Sequence, residues 1–215
     1  MTILLVNNYL RRPDAKIKRY IKALRALTDE HVEVVRFQDL GPDAELSEDV
    51  RAVVLSGSEA CLSKHEERPL FMGLLGFLRK LRLPTLGICF GHQLIGLAFG
   101  AEVVAMREFV KQPKEVVVEV PDDIFASWLP GDRILVAESH GDEVASLPAG
   151  FVRLATSDFC RIEAMKHLNR PMYGVQFHPE RRPEGWPSGE EWPGLEVLRN
   201  FLSSAGLARS WPKRL

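Results

Sequence analysis

The stretch that most constrains this 215-residue chain is Thr85-Leu86-Gly87-Ile88-Cys89-Phe90-Gly91, where a short apolar run breaks into a helix-forming segment with a cysteine at the break. A turn of that kind gives the residue at its tip strained dihedrals and crowds the neighbours two positions away, so both must be small. Gly87 and Gly91 occupy those positions. A helix from Gly91 to Phe99 would begin beside the sulfur, where its free N–H groups and positive dipole end favour thiolate over thiol. Cys89 is therefore expected to be a nucleophile, reactive near neutral pH.

The rest of the chain supplies a frame for such a turn. Apolar or β-branched runs at 3–7, 32–37, 52–55 and 85–88 alternate with segments of helical periodicity at 14–27, which carries Ile17, Tyr20, Ile21, Leu24 and Leu27, and at 69–81. That alternation predicts an α/β fold with a mostly parallel central sheet flanked by helices. Ligand sites in such sheets gather at the carboxyl ends of the strands, where Asn7, Ser56-Gly57-Ser58 and Cys89 would lie. After Glu102 the runs 116–120, 134–138, 151–155 and 162–165 are separated by turn residues, which predicts a small antiparallel section. A strand over 172–177 ends at His178-Pro179-Glu180, since proline cannot donate to a ladder, and 194–207 is a closing helix. One domain over residues 1–215 is expected.

Composition removes several function classes. Lys plus Arg (28) nearly balance Asp plus Glu (29), so no overall field draws the chain to nucleic acid or an anionic membrane. No apolar stretch reaches the length of a membrane span and the start lacks a basic leader, which predicts a cytoplasmic protein. Cysteines at 61, 89 and 160 form neither a disulfide framework nor a metal-ligand spacing, so no metal is expected.

A thiol nucleophile needs a base, and the base needs a third group to orient it. His178 and Glu180 lie two residues apart on an extended segment, so their side chains point the same way and the carboxylate can hold one imidazole nitrogen. Ser139-His140-Gly141-Asp142 offers a second histidine and carboxylate at the same spacing, but Gly141 predicts a turn in which the two need not share a side. His92 is expected to be a locally hydrogen-bonded helix residue. For the oxyanion formed on attack at a carbonyl, the N–H of Phe90 is one donor and the loop at Gly57 and Ser58 the expected second. That loop lacks the Gly-Lys-Ser/Thr ending of a phosphate loop.

Gly87-Ile88-Cys89-Phe90-Gly91-His92-Gln93 together with Gln176-Phe177-His178-Pro179-Glu180 resembles the class I glutamine amidotransferases, across residues 3–201. Within that family, Ser139-His140-Gly141-Asp142-Glu143-Val144 followed by Leu147-Pro148 is most similar to the glutaminase part of GMP synthetase. The resemblance implies a flavodoxin-like fold and a triad of Cys89, His178 and Glu180 that frees ammonia from the glutamine side chain through a thioester, with no cofactor. It implies that glutamine is held by Gln93 and by main chain near Ser139, His140 and Gly141. No ATP-binding loop is readable, so a synthetase partner would act in trans. A freestanding γ-glutamyl hydrolase with the same triad, or a catalytically silent interaction module, is the alternative. Where relatives carry two glycines and a proline this chain has Gly57, Ser58 and Glu59, so the second oxyanion donor is expected to need a partner to order it. The proline- and tryptophan-containing segment 181–193 is expected to border the site.

Overall fold

The computed structural model describes residues 1–209. The first strand, β1 (Thr2–Asn7), is followed by two short helices, α1 (Pro13–Lys16) and α2 (Lys18–Leu27), and by β2 (His31–Arg36). The single helix expected over 14–27 is broken at Ile17, where α1 ends and α2 begins. Next come β3 (Val50–Leu55), α3 (Met72–Lys80), β4 (Thr85–Ile88) and α4 (Phe90–Ala98). The first part of the helix expected over 69–81 is a 3-10 helix, His65–Phe71, with Pro69 inside it. Proline has no N–H for an α-helical bond and is better tolerated before the regular helix starts.

The second half contains β5 (Val103–Val110), β6 (Lys114–Val118), β7 (Arg133–Val136), β8 (His140–Val144), β9 (Phe151–Thr156), β10 (Ala164–His167), β11 (Met172–Val175) and the closing α5 (Pro193–Ser204). Nine strands form one sheet in the order β2-β1-β3-β4-β11-β10-β9-β6-β7. The first five are mutually parallel, and the last four run on antiparallel from β11. The antiparallel section is thus continuous with the parallel sheet. The separate ribbon β5-β8 was not expected from the sequence. β5 is mostly exposed and its register with β8 shifts between Ala105 and Val110, so it shows no alternation of apolar and polar residues. The expected domain end at residue 215 lies outside the described residues.

Both faces of the parallel half are covered. On β1, Ile3 and Leu5 join a core with Leu24 of α2 and Phe201 of α5, while Leu4 and Val6 join a second core with Leu74 of α3 and Leu94 of α4. Near-continuous burial along β1, β3 and β4 follows from this two-sided packing. The pairing of β4 with β11, Ile88 opposite Val175, brings the two motif-bearing strand ends side by side. The Cys89 N–H then donates to the Val175 carbonyl at 2.8 Å.

At the break Cys89 has φ 53° and ψ −102°, one of the few non-glycine residues with positive φ. A Cβ on Gly87 would lie 2.4 Å from the Gly91 carbonyl oxygen, and one on Gly91 would lie 2.7 Å from that of Leu55. Only glycine lets α4 start this close to the ends of β3 and β4. Gly91→Ala is therefore expected to lose at least the ~1–3 kcal/mol typical of overpacking. Gly41→Ala, where a Cβ meets nothing within 4 Å, should stay within ~0.5 kcal/mol of the parent. Chemical denaturation of the two variants measures the difference.

Candidate active site

A cleft of about 520 Å³ opens at the carboxyl ends of β3, β4 and β11, and its walls include Ser58, Cys89, Phe90, Gln93 and His178. His178 lies three residues beyond Val175, and its own N–H donates to the Ala137 carbonyl at 2.8 Å, which fixes the chain past the end of β11. Its Nδ1 is 2.9 Å from Glu180 Oε1, both side chains being buried. Burial holds the His178 pKa below its ordinary value, with Glu180 working against the shift. For Glu180 burial acts upward, but the adjacent imidazole and the Arg181 guanidinium outweigh it and hold the carboxyl below its usual range.

Cys89 is 5% exposed, with its Sγ 3.8 Å from the Ser139 carbonyl oxygen. Its thiol is pushed up to about 12, chiefly by burial and then by the Glu138 carboxyl, against the opposing pull of Arg181 and the Phe90 N–H. Reactivity near neutral pH as a free thiolate is thus corrected. The helix start is where it was expected, but a helix end contributes only ~0.3–1 kcal/mol in ordinary settings, whereas burial shifts pKa values by up to ~3–5 units at ~1.4 kcal/mol each. Burial thus opposes charge on both Cys89 and His178, which line the same cleft.

Within Ser139-His140-Gly141-Asp142 the chain enters a strand at His140 and makes no turn at Gly141, because β5 pairs with it and supplies ladder partners for His140 and Asp142. His140 and Asp142 do share a face, yet the His140 ring is engaged elsewhere. Its Nδ1 is 3.0 Å from the Asp142 carbonyl oxygen, and its Nε2 lies 3.2 Å from Glu138 Oε2 without hydrogen-bond alignment. The Asp142 carboxylate accepts from the Ser63 N–H at 2.9 Å and the Ser63 hydroxyl at 2.7 Å. Ser139, His140 and Gly141 all line the cleft, and Gly141 faces the ring of the exposed Phe109 of β5. Gln93 donates through Nε2 to the Asp142 carbonyl at 2.8 Å and to Gln176 Oε1 at 3.2 Å. Both amide hydrogens are used internally, so Gln93 can offer a ligand only its carbonyl oxygen.

His92 is not locally hydrogen-bonded. It is fully buried against Gly174 of β11, neither ring nitrogen has a hydrogen-bond partner among the described residues, and burial drops its pKa to about 3. Of the two residues expected in the oxyanion loop, Ser58 lines the cleft, whereas the Gly57 N–H is taken by the Tyr20 hydroxyl at 2.9 Å. The loop is tied down without a partner protein. Glu59 accepts from the Arg11 N–H at 2.5 Å and the Lys16 ammonium at 3.0 Å, and Ser58 Oγ donates to the Asn8 carbonyl at 2.8 Å. From the segment 181–193, Arg181 reaches the cleft, while the Trp192 indole N–H donates back to the Pro179 carbonyl at 2.9 Å.

Sequence reading missed Arg181, Tyr9, Glu138 and Glu163. Position beside Glu180 was the available signal for Arg181, while Glu138 and Glu163 lie just outside β7 and β10, in runs read only for their apolar neighbours. Among the described residues no group of three or more His, Cys, Asp or Glu is placed to hold a metal ion, and no helix is long and apolar enough to cross a membrane.

The class-I glutamine amidotransferase family model matches residues 13–192, and the chain belongs to that family. A GMP synthase (glutamine-hydrolyzing) subunit of Methanosarcina barkeri is 45% identical over 126 residues, 59% of this chain and 62% of that protein. The match to several such relatives spans less than two thirds of their length. The corresponding GMP synthase subunit of Methanocaldococcus jannaschii is 37% identical over 164 residues, 76% of this chain and 79% of that one. A solved Thermoplasma acidophilum structure, provisionally named as a GMP synthase subunit, superposes with TM-score 0.78 at 30% identity, covering 96% of this chain and 94% of its own. The sheet described above is the fold of these proteins.

The buried carboxyls behind the cleft give a pH signature. Burial raises Glu138 to about 8 and lifts Glu163 well above its usual range. A carboxyl whose folded pKa exceeds its unfolded ~4.3 stabilises fully at low pH, and that stability is lost as pH rises through the folded pKa. The buried histidines act oppositely, but their window lies below the unfolded ~6.5. Folding stability, and with it the melting temperature, is therefore expected to fall from pH 6.5 to 8.5, the stability by up to ~1.4 kcal/mol per pH unit per group. Glu138→Gln should flatten the fall in thermal melts.

Proposed function

We propose that this chain hydrolyses the side-chain amide of glutamine, with Cys89 as nucleophile, His178 as base and Glu180 orienting the base, and passes the ammonia to a separate synthetase. One observation carries the reading: a cysteine on a strained strand-to-helix turn shares a cleft with a histidine whose far nitrogen is held 2.9 Å from a buried carboxylate. The relatives are named as subunits of GMP synthase, which points to a GMP-forming synthetase as the acceptor of the ammonia.

The chemistry follows from the resting charges. With a thiol at about 12 and a neutral imidazole, the sulfur attacks the side-chain carbonyl carbon as His178 Nε2 takes the thiol proton, so the charge forms only during the step. Glu180 stays ionised at Nδ1–H and stabilises the imidazolium. The oxyanion is received by the N–H groups of Phe90 and Ser58. His178 returns its proton to the leaving nitrogen, ammonia departs, and a water attacks the thioester with His178 again as base, releasing glutamate. Gln93 Oε1 and the main chain of Ser139, His140 and Gly141 hold the substrate's amino-acid end. The Glu59 contacts hold the outer end of the oxyanion loop, so stimulation by a docked synthetase would act through other parts of the cleft.

Replacing His178 by Ala should slow thioester formation by ~10²–10⁴-fold. His140→Ala should show a smaller loss that falls mainly on KM; rapid-quench detection of the thioester compares them, and the reverse ranking would overturn the triad. Ammonia release from glutamine, measured with and without the synthetase component of a GMP synthase, tests the function. Stimulation on mixing is expected. Faster turnover of γ-glutamyl peptides than of glutamine, with no stimulation, would instead establish the freestanding hydrolase.

A further inference from the structure

We propose that Tyr20, in the first turn of α2 and outside the cleft wall, is a positioning residue that aims the oxyanion loop through the Gly57 N–H. The inference rests on the glutaminase reading and deepens it. Tyr20 is 1% exposed and its ring packs in the core between α2 and the sheet, but its hydroxyl oxygen accepts the Gly57 N–H at 2.9 Å. The same oxygen lies 3.3 Å from the hydroxyl of Tyr9, which lines the cleft. Burial keeps the Tyr20 phenol neutral, its pKa raised well above the ordinary value, so this oxygen is a fixed hydrogen-bonding group across the working pH range.

Gly57 is the residue before Ser58, whose backbone N–H is the remaining donor of this loop. A Cβ at Gly57 would lie 2.9 Å from the Tyr20 hydroxyl oxygen, 3.2 Å from His178 Cε1 and 3.3 Å from the Tyr9 hydroxyl oxygen. The Tyr20 hydroxyl, the Tyr9 hydroxyl and the His178 ring thus crowd the same side of Gly57, so a shift of the loop backbone is felt beside the base. Other ties reach the same loop: Asn8 donates to the Ser56 carbonyl at 2.7 Å, the Ser56 hydroxyl donates to the Gly57 carbonyl at 2.9 Å, and Glu59 is held by Arg11 and Lys16. The Tyr20 bond acts on the main-chain N–H nearest the proposed donor. With Tyr20 changed to Phe the ring still packs and the Gly57 N–H is left buried without a partner, so the peptide group preceding Ser58 keeps only the tie at its carbonyl, where the Ser56 hydroxyl donates to the Gly57 carbonyl at 2.9 Å.

Tyr20→Phe separates this role from plain packing. Misaiming one oxyanion donor is expected to lower kcat for glutamine by about 10²-fold, the lower end of what loss of such a donor costs, with KM changed less than about threefold. Affinity for the aldehyde analogue of glutamine, whose adduct with Cys89 carries the same oxyanion, should fall by a similar factor. Alkylation of Cys89 by iodoacetamide, a displacement at saturated carbon that builds no oxyanion, should keep its parent rate. Tyr9→Phe leaves the Gly57 bond intact and should lose less. Unchanged kcat, a loss confined to KM, or a parallel fall in iodoacetamide rate would overturn the role. A parent chain that neither releases ammonia nor binds the aldehyde would overturn the glutaminase reading, and this role with it. Should Tyr20→Phe not fold, hydrogen exchange in the parent decides: Gly57 amide protection comparable to that of β3 supports the anchor, and rapid exchange removes it.

Discussion

The close approach of Gly91 to the end of β3, with room for no side chain at Gly87 or Gly91, is the constraint on which the rest of the molecule depends. It lets α4 begin within one residue of β4, which leaves Cys89 at φ 53°, buried at the strand end where it lines the cleft. Strain of that kind costs of order 1–3 kcal/mol and persists only when its surroundings over-determine it. Here they do: the Cys89 N–H is bonded to Val175 of the neighbouring strand, and the Cys89 carbonyl accepts from the Gln93 N–H at 3.1 Å as the first turn of α4. The register that makes the first of these bonds also sets His178 beyond the end of the next strand, so one pairing decision assembles both halves of the proposed triad.

Electrostatics then decide how the site can work. Burial of Cys89 and His178 opposes charge on either, and the nearby Glu138 opposes it further on the sulfur. Burial therefore works against a resting thiolate–imidazolium pair. On the proposed mechanism that pair forms only when a carbonyl is in place to take the electrons, and the N–H groups of Phe90 and Ser58 are the proposed partners of the new charge. Glu180, kept ionised by the imidazole and Arg181, is the one charge of the proposed triad present throughout. It orients the ring in the resting state and stabilises it in the charged one.

Much of this was legible in the residues. Strand and helix alternation and the two small residues flanking Cys89 reflect local rules that survive into the structure. His178 and Glu180 do meet, but across a turn closed by the Arg181 N–H on the His178 carbonyl at 3.1 Å and not on the extended segment that their spacing predicted. What the sequence did not reveal depends on pairing between distant segments. The strand at His140–Val144 reads locally as a turn because Gly141 is a local signal, while the β5 ladder that overrides it comes from residues 103–110. The helix break at Ile17 and the 3-10 turn around Pro69 are boundary effects of the sort that periodicity does not resolve. The thiol pKa departs from expectation because a helix end can be read from sequence and depth of burial cannot. Tyr20 was legible as a core position of α2, which it is, but not as a hydrogen-bond acceptor for a loop 37 residues away.

The oxyanion loop shows how one local change can be absorbed by non-local bonds. A proline at position 59 would stiffen the loop covalently, limiting its freedom in the unfolded and folded states alike. Glu59 supplies no such stiffness, yet its carboxylate is held by a main-chain N–H of the β1–α1 connection and by Lys16 at the end of α1. The Lys16 ammonium also sits 4.9 Å from the Tyr9 ring centroid, so the same cation joins Glu59 to the tyrosine pair. The Lys16–Glu59 pair is partly exposed, and an exposed ion pair contributes at most ~1 kcal/mol. The buried bonds at Gly57 and Asn8 must therefore hold most of the loop geometry, with the Glu59 contacts steering its outer end. The short α1, separated from α2 at Ile17, is what brings Lys16 and the Arg11 N–H to that position, so the helix break and the altered loop belong to one arrangement.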